Sequence, residues 1–248
     1  MTWTRLVRSE LRKLSTTKMP LAFALVLLVI AAINAVAVMF GTDMDGSKAF
    51  ISTADDQQSL VAFAGNAMMG ASLFGAIAVA REYGHGSVIP TFLASPRRHR
   101  AATAQYTAIL IGGALLGSLG AALTIVAVAA ALTTTDFSFL LSAGAVAQVL
   151  AASAFAGGAG AVLGAGIGAV VRNTGGAVTG AVLALIIAPP LLVQLASDVA
   201  SWVPATLTNV LAGVGDEVGT TAAVVALALW ALVPAFIGLV AIERRDVV

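Results

Sequence analysis

Residues 20–40 read PLAFALVLLVIAAINAVAVMF, 21 positions with no charged side chain. A helix rises about 1.5 Å per residue, so the stretch reaches about 30 Å, the thickness of the hydrocarbon core of a bilayer. Basic residues precede it, and it contains the small-residue triplet Ala35-Val36-Ala37, both features of a secretory signal. Length decides against that reading, because a signal's apolar core runs only about 7 to 15 residues. Residues 20–40 therefore read as a membrane-spanning helix.

Working outward, five further segments meet the same test, near residues 59–80, 103–132, 139–171, 174–197 and 218–242. None contains Asp, Glu, Lys, Arg or His, and a charge at mid-depth would cost about 2.5–3.5 kcal/mol on the insertion scale. Composition agrees: 59% of residues are hydrophobic and 10% charged, against about 25% charged in soluble domains, and the mean hydropathy is +0.99. Backbone groups in lipid must be satisfied within the protein, and the alternating pattern of barrel strands is absent, so the spans are helices. The expected fold is all-α and integral to the membrane: one transmembrane domain over residues 1–248 with six transmembrane helices.

Charge orients the bundle. Of the 13 Lys and Arg residues, all but Lys48 fall in segments that share one side once the six spans are drawn. Arg5, Arg8, Arg12, Lys13 and Lys18 precede the first span, Arg81, Arg97, Arg98 and Arg100 surround the loop after the second, Arg172 marks a tight turn, and Arg244 and Arg245 close the chain. Asp43, Asp45, Asp55, Asp56, Asp136, Asp198, Asp216 and Glu217 occupy the opposite loops. Basic loops stay cytoplasmic, which puts both termini inside. With the basic residues spent on orientation and no aromatic-interleaved basic stripe, the net charge of +1 gives no sign of a nucleic-acid partner. The absence of cysteine removes disulfides, thiolate metal sites and cysteine nucleophiles and leaves the redox compartment open.

Ahead of the first span, over residues 1–18, Trp3, Leu6, Val7, Leu11 and Leu14 recur at helical spacing while Arg5, Arg8, Arg12 and Lys13 take the other faces. This is the pattern of an interfacial amphipathic helix, its apolar face in the headgroup boundary and its basic groups beside anionic membrane lipid. Within the spans, Gly160, Gly164 and Gly168 repeat every four residues, and Gly113 with Gly117 and Gly176 with Gly180 form further pairs. Such spacing bares the backbone along one helix face and invites close helix packing. Gly164, Gly166 and Ala169 formally match a dinucleotide fingerprint, but no strand precedes them, so the match is accidental. Pro189-Pro190 should kink the fifth span. Between residues 197 and 219 an apolar pattern broken at Pro204 suggests two short outer helices, with Trp202 as an interfacial anchor.

Residues 81–100 read REYGHGSVIPTFLASPRRHR. Ser87 can cap a short helix in which Pro90 sits in the first turn, Val88, Ile89, Phe92 and Leu93 share one face, and Ser95-Pro96 ends it. A helix so short is marginal alone and needs a partner surface. An acidic residue at the end of span two, a Gly, a short apolar helix, Ser-Pro and a basic cluster opening span three together resemble the permease subunits of ABC-2 type transporters. Glu82, Gly86, Phe92, Leu93, Pro96, Arg97 and Arg100 carry the match; Gln105 departs from it, where such loops often place a Lys.

The resemblance implies a permease subunit of an ATP-driven exporter, embedded as a multi-pass protein in the cytoplasmic membrane of a bacterium. A separate ABC ATPase subunit would bind the coupling segment, with Glu82, Gly86, Val88, Ile89, Phe92, Leu93, Pro96, Arg97, Arg98 and Arg100 as its contacts, and would carry the ATP and Mg. A second permease copy or a sibling permease would complete the transporter. The chain itself has no phosphate-binding loop, no catalytic constellation and no metal-ligand spacing, so it is not read as an enzyme and needs no cofactor of its own. An apolar or amphipathic cargo such as a drug, lipid or lipopeptide suits its Ala, Val, Leu and Gly surfaces. The alternatives are an ATP-independent transporter or channel, for which only Asn34, Asn66, Gln148 and Gln194 offer polar groups within spans, and a non-transporting immunity or regulatory subunit.

Overall fold

The structure is a computed structural model and describes residues 2–43, 46–64, 67–84 and 98–244. All regular elements among them are helical. An N-terminal helix, Trp3–Thr16, leads into the first span, Met19–Phe40. The second span comprises Ala54–Ala64 and Ala67–Gly84, the third is Arg98–Leu132, the fourth Ala143–Val171, the fifth runs from Thr174 to Leu195, and the sixth is Thr220–Arg244. Six helices are thus long and apolar enough to cross a membrane. The second and third extend several residues beyond the apolar windows, the second opening on a reciprocal cap in which Thr53 N–H donates to Asp56 Oδ2 and Asp56 N–H donates to Thr53 Oγ1.

The fourth span is the hub. It packs on the second, third and sixth spans, and 72% of its most apolar window is buried, against 11% for the first span and 17% for the fifth. Glycine explains the centrality. Gly160, Gly164 and Gly168 lie against the backbone carbonyls of Met68, Ser72 and Ala76 in the second span, which returns Gly75 to the carbonyl of Ala161. On the third span, Gly113 and Gly117 meet the carbonyls of Gly157 and Ser153. Lipid tails are as apolar as leucine, so helix association rests on dispersion, and only bare backbones approach this closely. Large side chains fill the corners between the helices, among them Phe74, Ile109, Leu163 and Leu227, all fully buried.

Caps end the helices where sequence signals allow. Ser142 accepts from the Ala145 amide to start the fourth span, and Asn173 accepts from Gly176 to start the fifth. Lys48 donates to the Val38 and Met39 carbonyls at 3.0 and 2.7 Å, satisfying the end of the first span. Ahead of Pro189-Pro190 the fifth span takes a π-helical turn at Leu183–Ile187. Ala188 donates to Leu183, one position further back than in an α-helix, so the register slips ahead of two residues that have no amide hydrogen to give. The sixth span carries a proline of its own, Pro234, whose backbone packs on Gly166. The formal fingerprint glycine is thus a helix contact.

Two short helices do precede the sixth span: a 3₁₀ segment, Ser197–Trp202, and an α-helix, Pro204–Leu211. Gly213 adopts φ +80° after them, with Gly213 and Val214 donating to Val210 and Asn209, the paired bonds of a glycine-terminated helix. Glutamines fasten this end. Gln57, fully buried, donates to the Ile51 and Ser138 carbonyls and accepts from the Leu140 amide. Gln58 and Gln148 reach the carbonyls of Ala212 and Leu211. Gln148 therefore joins two helices as hydrogen-bond glue, whereas Asn34 donates to Ile30 in its own helix.

Candidate functional site at the basic end of the bundle

Three polar contacts place the N-terminal helix and the ends of the second, third, fourth and sixth spans together. Lys13 reaches Glu82, Arg172 reaches Ala241, and His99 faces Glu243. The N-terminal helix lies along the third span, with Leu14 approaching Gly112.

Helical spacing aligns Leu6, Glu10, Lys13 and Leu14 on one face of the N-terminal helix, and that face turns to the bundle, burying Leu6 and Glu10. Lys13 Nζ lies 2.8 Å from Glu10 Oε2 and 3.0 Å from Glu82 Oε1, so a single ammonium bridges a carboxylate of its own helix and one 69 residues further along the chain. Burial pushes the Glu10 carboxyl above its ordinary pKa, and hydrogen bonding to Lys13 recovers only part of that cost. For Lys13, burial alone would lower the pKa, but Glu82 and Glu10 together outweigh it and hold the ammonium above its usual value. The three groups form one charge network. Beside them lies a cavity of about 380 Å³ between the N-terminal helix and the second and third spans, lined by Thr17, Arg81 and Gln105 as well as the triad.

A second cluster is built on Arg172. This residue ends the fourth span in the left-handed conformation, φ +56°, the one non-glycine among the described residues to do so. Such backbone costs about 1–2 kcal/mol in an L-residue. What holds it is the side chain, whose guanidinium carbon sits 4.9 Å from the Tyr83 ring centroid while Nη2 donates to the Ala241 carbonyl at 3.2 Å. Arg172 thus joins the four-to-five turn to the ends of the second and sixth spans. Deeper in, Tyr106 is buried against Gly238, and its hydroxyl has no hydrogen-bond partner among the described residues. The His99 and Glu243 side chains, 3.6 Å apart, are both more than half exposed and contribute little.

The expected coupling residues divide. Glu82 is held by Lys13, and Arg98 and Arg100 form the first turn of the third span, whereas Gly86, Val88, Ile89, Phe92, Leu93, Pro96 and Arg97 lie outside the described residues. Of the expected interfacial anchors, Trp3, Arg5, Arg8 and Arg12 are exposed; Lys13 turns inward as the pivot of the network. Trp202 lies at the opposite end, where its carbonyl accepts from the Trp230 indole at 3.0 Å. Glu10 is the residue that sequence reasoning passed over, although its place in the stripe of Leu6 and Leu14 marked it as buried. The Arg172 clasp had no comparable sequence signal. The arrangement binds helices to one another through charge and stacking.

No protein-family model matches the sequence, and no curated protein matches it at a significant level.

Proposed function

We propose that this chain is the membrane-spanning permease subunit of an ATP-driven exporter of the ABC-2 type. A separate ATPase docks on the segment between Glu82 and Arg98, and two permease subunits, identical or sibling, rock between inward- and outward-facing states in a bacterial cytoplasmic membrane as ATP is bound and hydrolysed. The observation that carries the reading is the Lys13 bridge. The N-terminal helix, which continues into the first span, is fastened by charge to the last turn of the second span, immediately before the segment read as the coupling helix. A push on that segment then moves the first and second spans together, and the Arg172 clasp extends the connection to the sixth.

The cargo is apolar or amphipathic. What supports this is the lateral surface: apolar grooves of about 380 Å³ beside Phe23, Asn34 and Met69, and of about 610 Å³ beside Met68, Pro190 and Gln194, flank the second span. Co-purification with an ABC ATPase subunit, followed by ATP-stimulated transport in proteoliposomes, tests the reading. Phe92→Asp with Leu93→Asp should abolish both ATPase capture and transport. Transport by the chain with no ATPase present, or full ATP-stimulated transport by the double variant, would overturn it.

A further inference from the structure

The N-terminal helix has three faces, and contact with the bundle accounts for one. Leu6, Glu10 and Lys13 turn inward. About a quarter-turn round, Trp3, Val7 and Leu11 form an apolar stripe that stays partly uncovered, Trp3 being 41% exposed. The third face carries Arg5, Arg8 and Arg12, all exposed and none within ion-pair distance of a carboxylate among the described residues. The cause is local: the helix has a single acid, Glu10, and it faces away toward Lys13.

These arginines line a groove of about 630 Å³ with Ser9, Lys13 and Thr16. Both hydroxyls are already engaged, Ser9 donating to the Leu6 carbonyl and Thr16 to the Arg12 carbonyl. What the groove offers a ligand is therefore guanidinium, three planar forks at positions i, i+3 and i+7 of one helix. Guanidinium pairs bidentately with phosphate oxygens.

We propose that this groove binds the phosphate of an anionic phospholipid headgroup, with the acyl chains passing along Trp3, Val7 and Leu11. Two observations favour lipid over a soluble phosphate. The apolar stripe adjoins the basic face on the same short helix, and that helix ends two residues before the first span begins, which sets it at bilayer level. The inference stands apart from the transporter reading, since it needs no ATPase.

The full chain, purified in detergent, is titrated with phosphatidylglycerol, phosphatidylcholine and glycerol 3-phosphate, with bound lipid counted by native mass spectrometry. Phosphatidylglycerol should bind at least about tenfold more tightly than phosphatidylcholine, with the preference weakening in salt. One basic residue near an anionic surface contributes about 1 kcal/mol, about fivefold. The triple variant Arg5→Gln, Arg8→Gln, Arg12→Gln should therefore lose about 100-fold in phosphatidylglycerol affinity, Arg8→Gln alone about fivefold, and the triple Arg→Lys variant much less than the triple Gln. The Gln variants should melt with the wild type in phosphatidylcholine, since these guanidiniums hold no other element in place. Equal binding of the two lipids, or undiminished phosphatidylglycerol binding by the triple Gln variant, overturns the proposal. So does competition by glycerol 3-phosphate as strong as the lipid's, which would make this a soluble-phosphate site.

Discussion

Two glycines in the same part of the bundle should respond to the same substitution with opposite signs. A Cβ added at Gly164 would fall on the carbonyl oxygen of Ser72, with the Ser72 carbonyl carbon at 2.7 Å and the Ala76 nitrogen at 2.9 Å; at Gly70 it would meet nothing within 4 Å. The atoms facing Gly164 are backbone of a buried helix, so no rotamer change relieves the clash and the second and fourth spans must separate. Overpacking of this kind costs about 1–3 kcal/mol. Against it stands a gain of up to about 1 kcal/mol from replacing Gly by Ala in a helix. Gly164→Ala should thus be destabilised by about 1–2 kcal/mol, while Gly70→Ala keeps only the gain. At about 2–4 °C per kcal/mol for a chain of this size, the apparent Tm falls by about 2–8 °C in the first variant and rises by up to about 4 °C in the second. Thermal unfolding of the purified protein in one detergent at one scan rate measures both. The double variant Gly160→Ala, Gly164→Ala should cost less than the sum, because the first methyl already opens the gap the second needs. If Gly164→Ala and Gly70→Ala shift Tm in the same direction, the close backbone approach does not exist and the fourth span is not the hub described here.

Three further outcomes are expected at the basic end. Lys13→Met and Glu82→Gln in a double-mutant cycle should show a coupling of about 1 kcal/mol, moderated because Lys13 is 41% exposed and weakened by salt; zero coupling at low salt would remove the bridge. Glu10 has a folded pKa raised by burial, so its contribution to stability is fully present below its unfolded value near 4.5 and is lost as pH rises through the higher folded value. Glu10→Gln should accordingly melt above the wild type at neutral pH, with the gap closing on acidification toward pH 4.5; a gap that widens on acidification contradicts the burial of this acid. At Arg172 both Gly and Ala lose the Tyr83 and Ala241 contacts, but Gly accepts φ +56° freely, so Arg172→Gly should unfold later than Arg172→Ala by about 1 kcal/mol. An alanine variant as stable as the glycine variant would show that the left-handed turn is absent.

Membrane insertion was legible because it depends on quantities that add along the chain. Twenty apolar residues in a row are long enough to span whatever surrounds them, which is why the windows near 20–40, 103–132 and 218–242 fall within or nearly coincide with Met19–Phe40, Arg98–Leu132 and Thr220–Arg244. The glycine spacing in residues 160–168 likewise foretold a close-packed face, since four-residue periodicity is a local property of a helix. Helix ends were less legible: Asp55 to Gln58 and Arg98 to Arg100 are charged or polar, yet the helices run through them.

Partners across the bundle were not legible at all. Residues 1–18 alone suggested a helix lying on lipid, and Lys13 one of its surface cations. The fold delivers Glu82 to within 3.0 Å of Lys13, so this one cation turns inward, with Leu6 and Glu10 facing protein, while Trp3, Arg5, Arg8 and Arg12 stay exposed. In the same way Pro189-Pro190 announced a disturbance in the fifth span, and the fold sets a π turn ahead of it. What the amino-acid order determined by itself is the number of helices long and apolar enough to span and which helix is bare enough to sit at the centre, because each follows from hydration cost or from periodicity along one chain. Which face each helix presents, and so which charges are consumed inside the bundle and which stay exposed, was decided only in three dimensions, because an ion pair or a stacked ring depends on the distance between groups that sequence separation does not set.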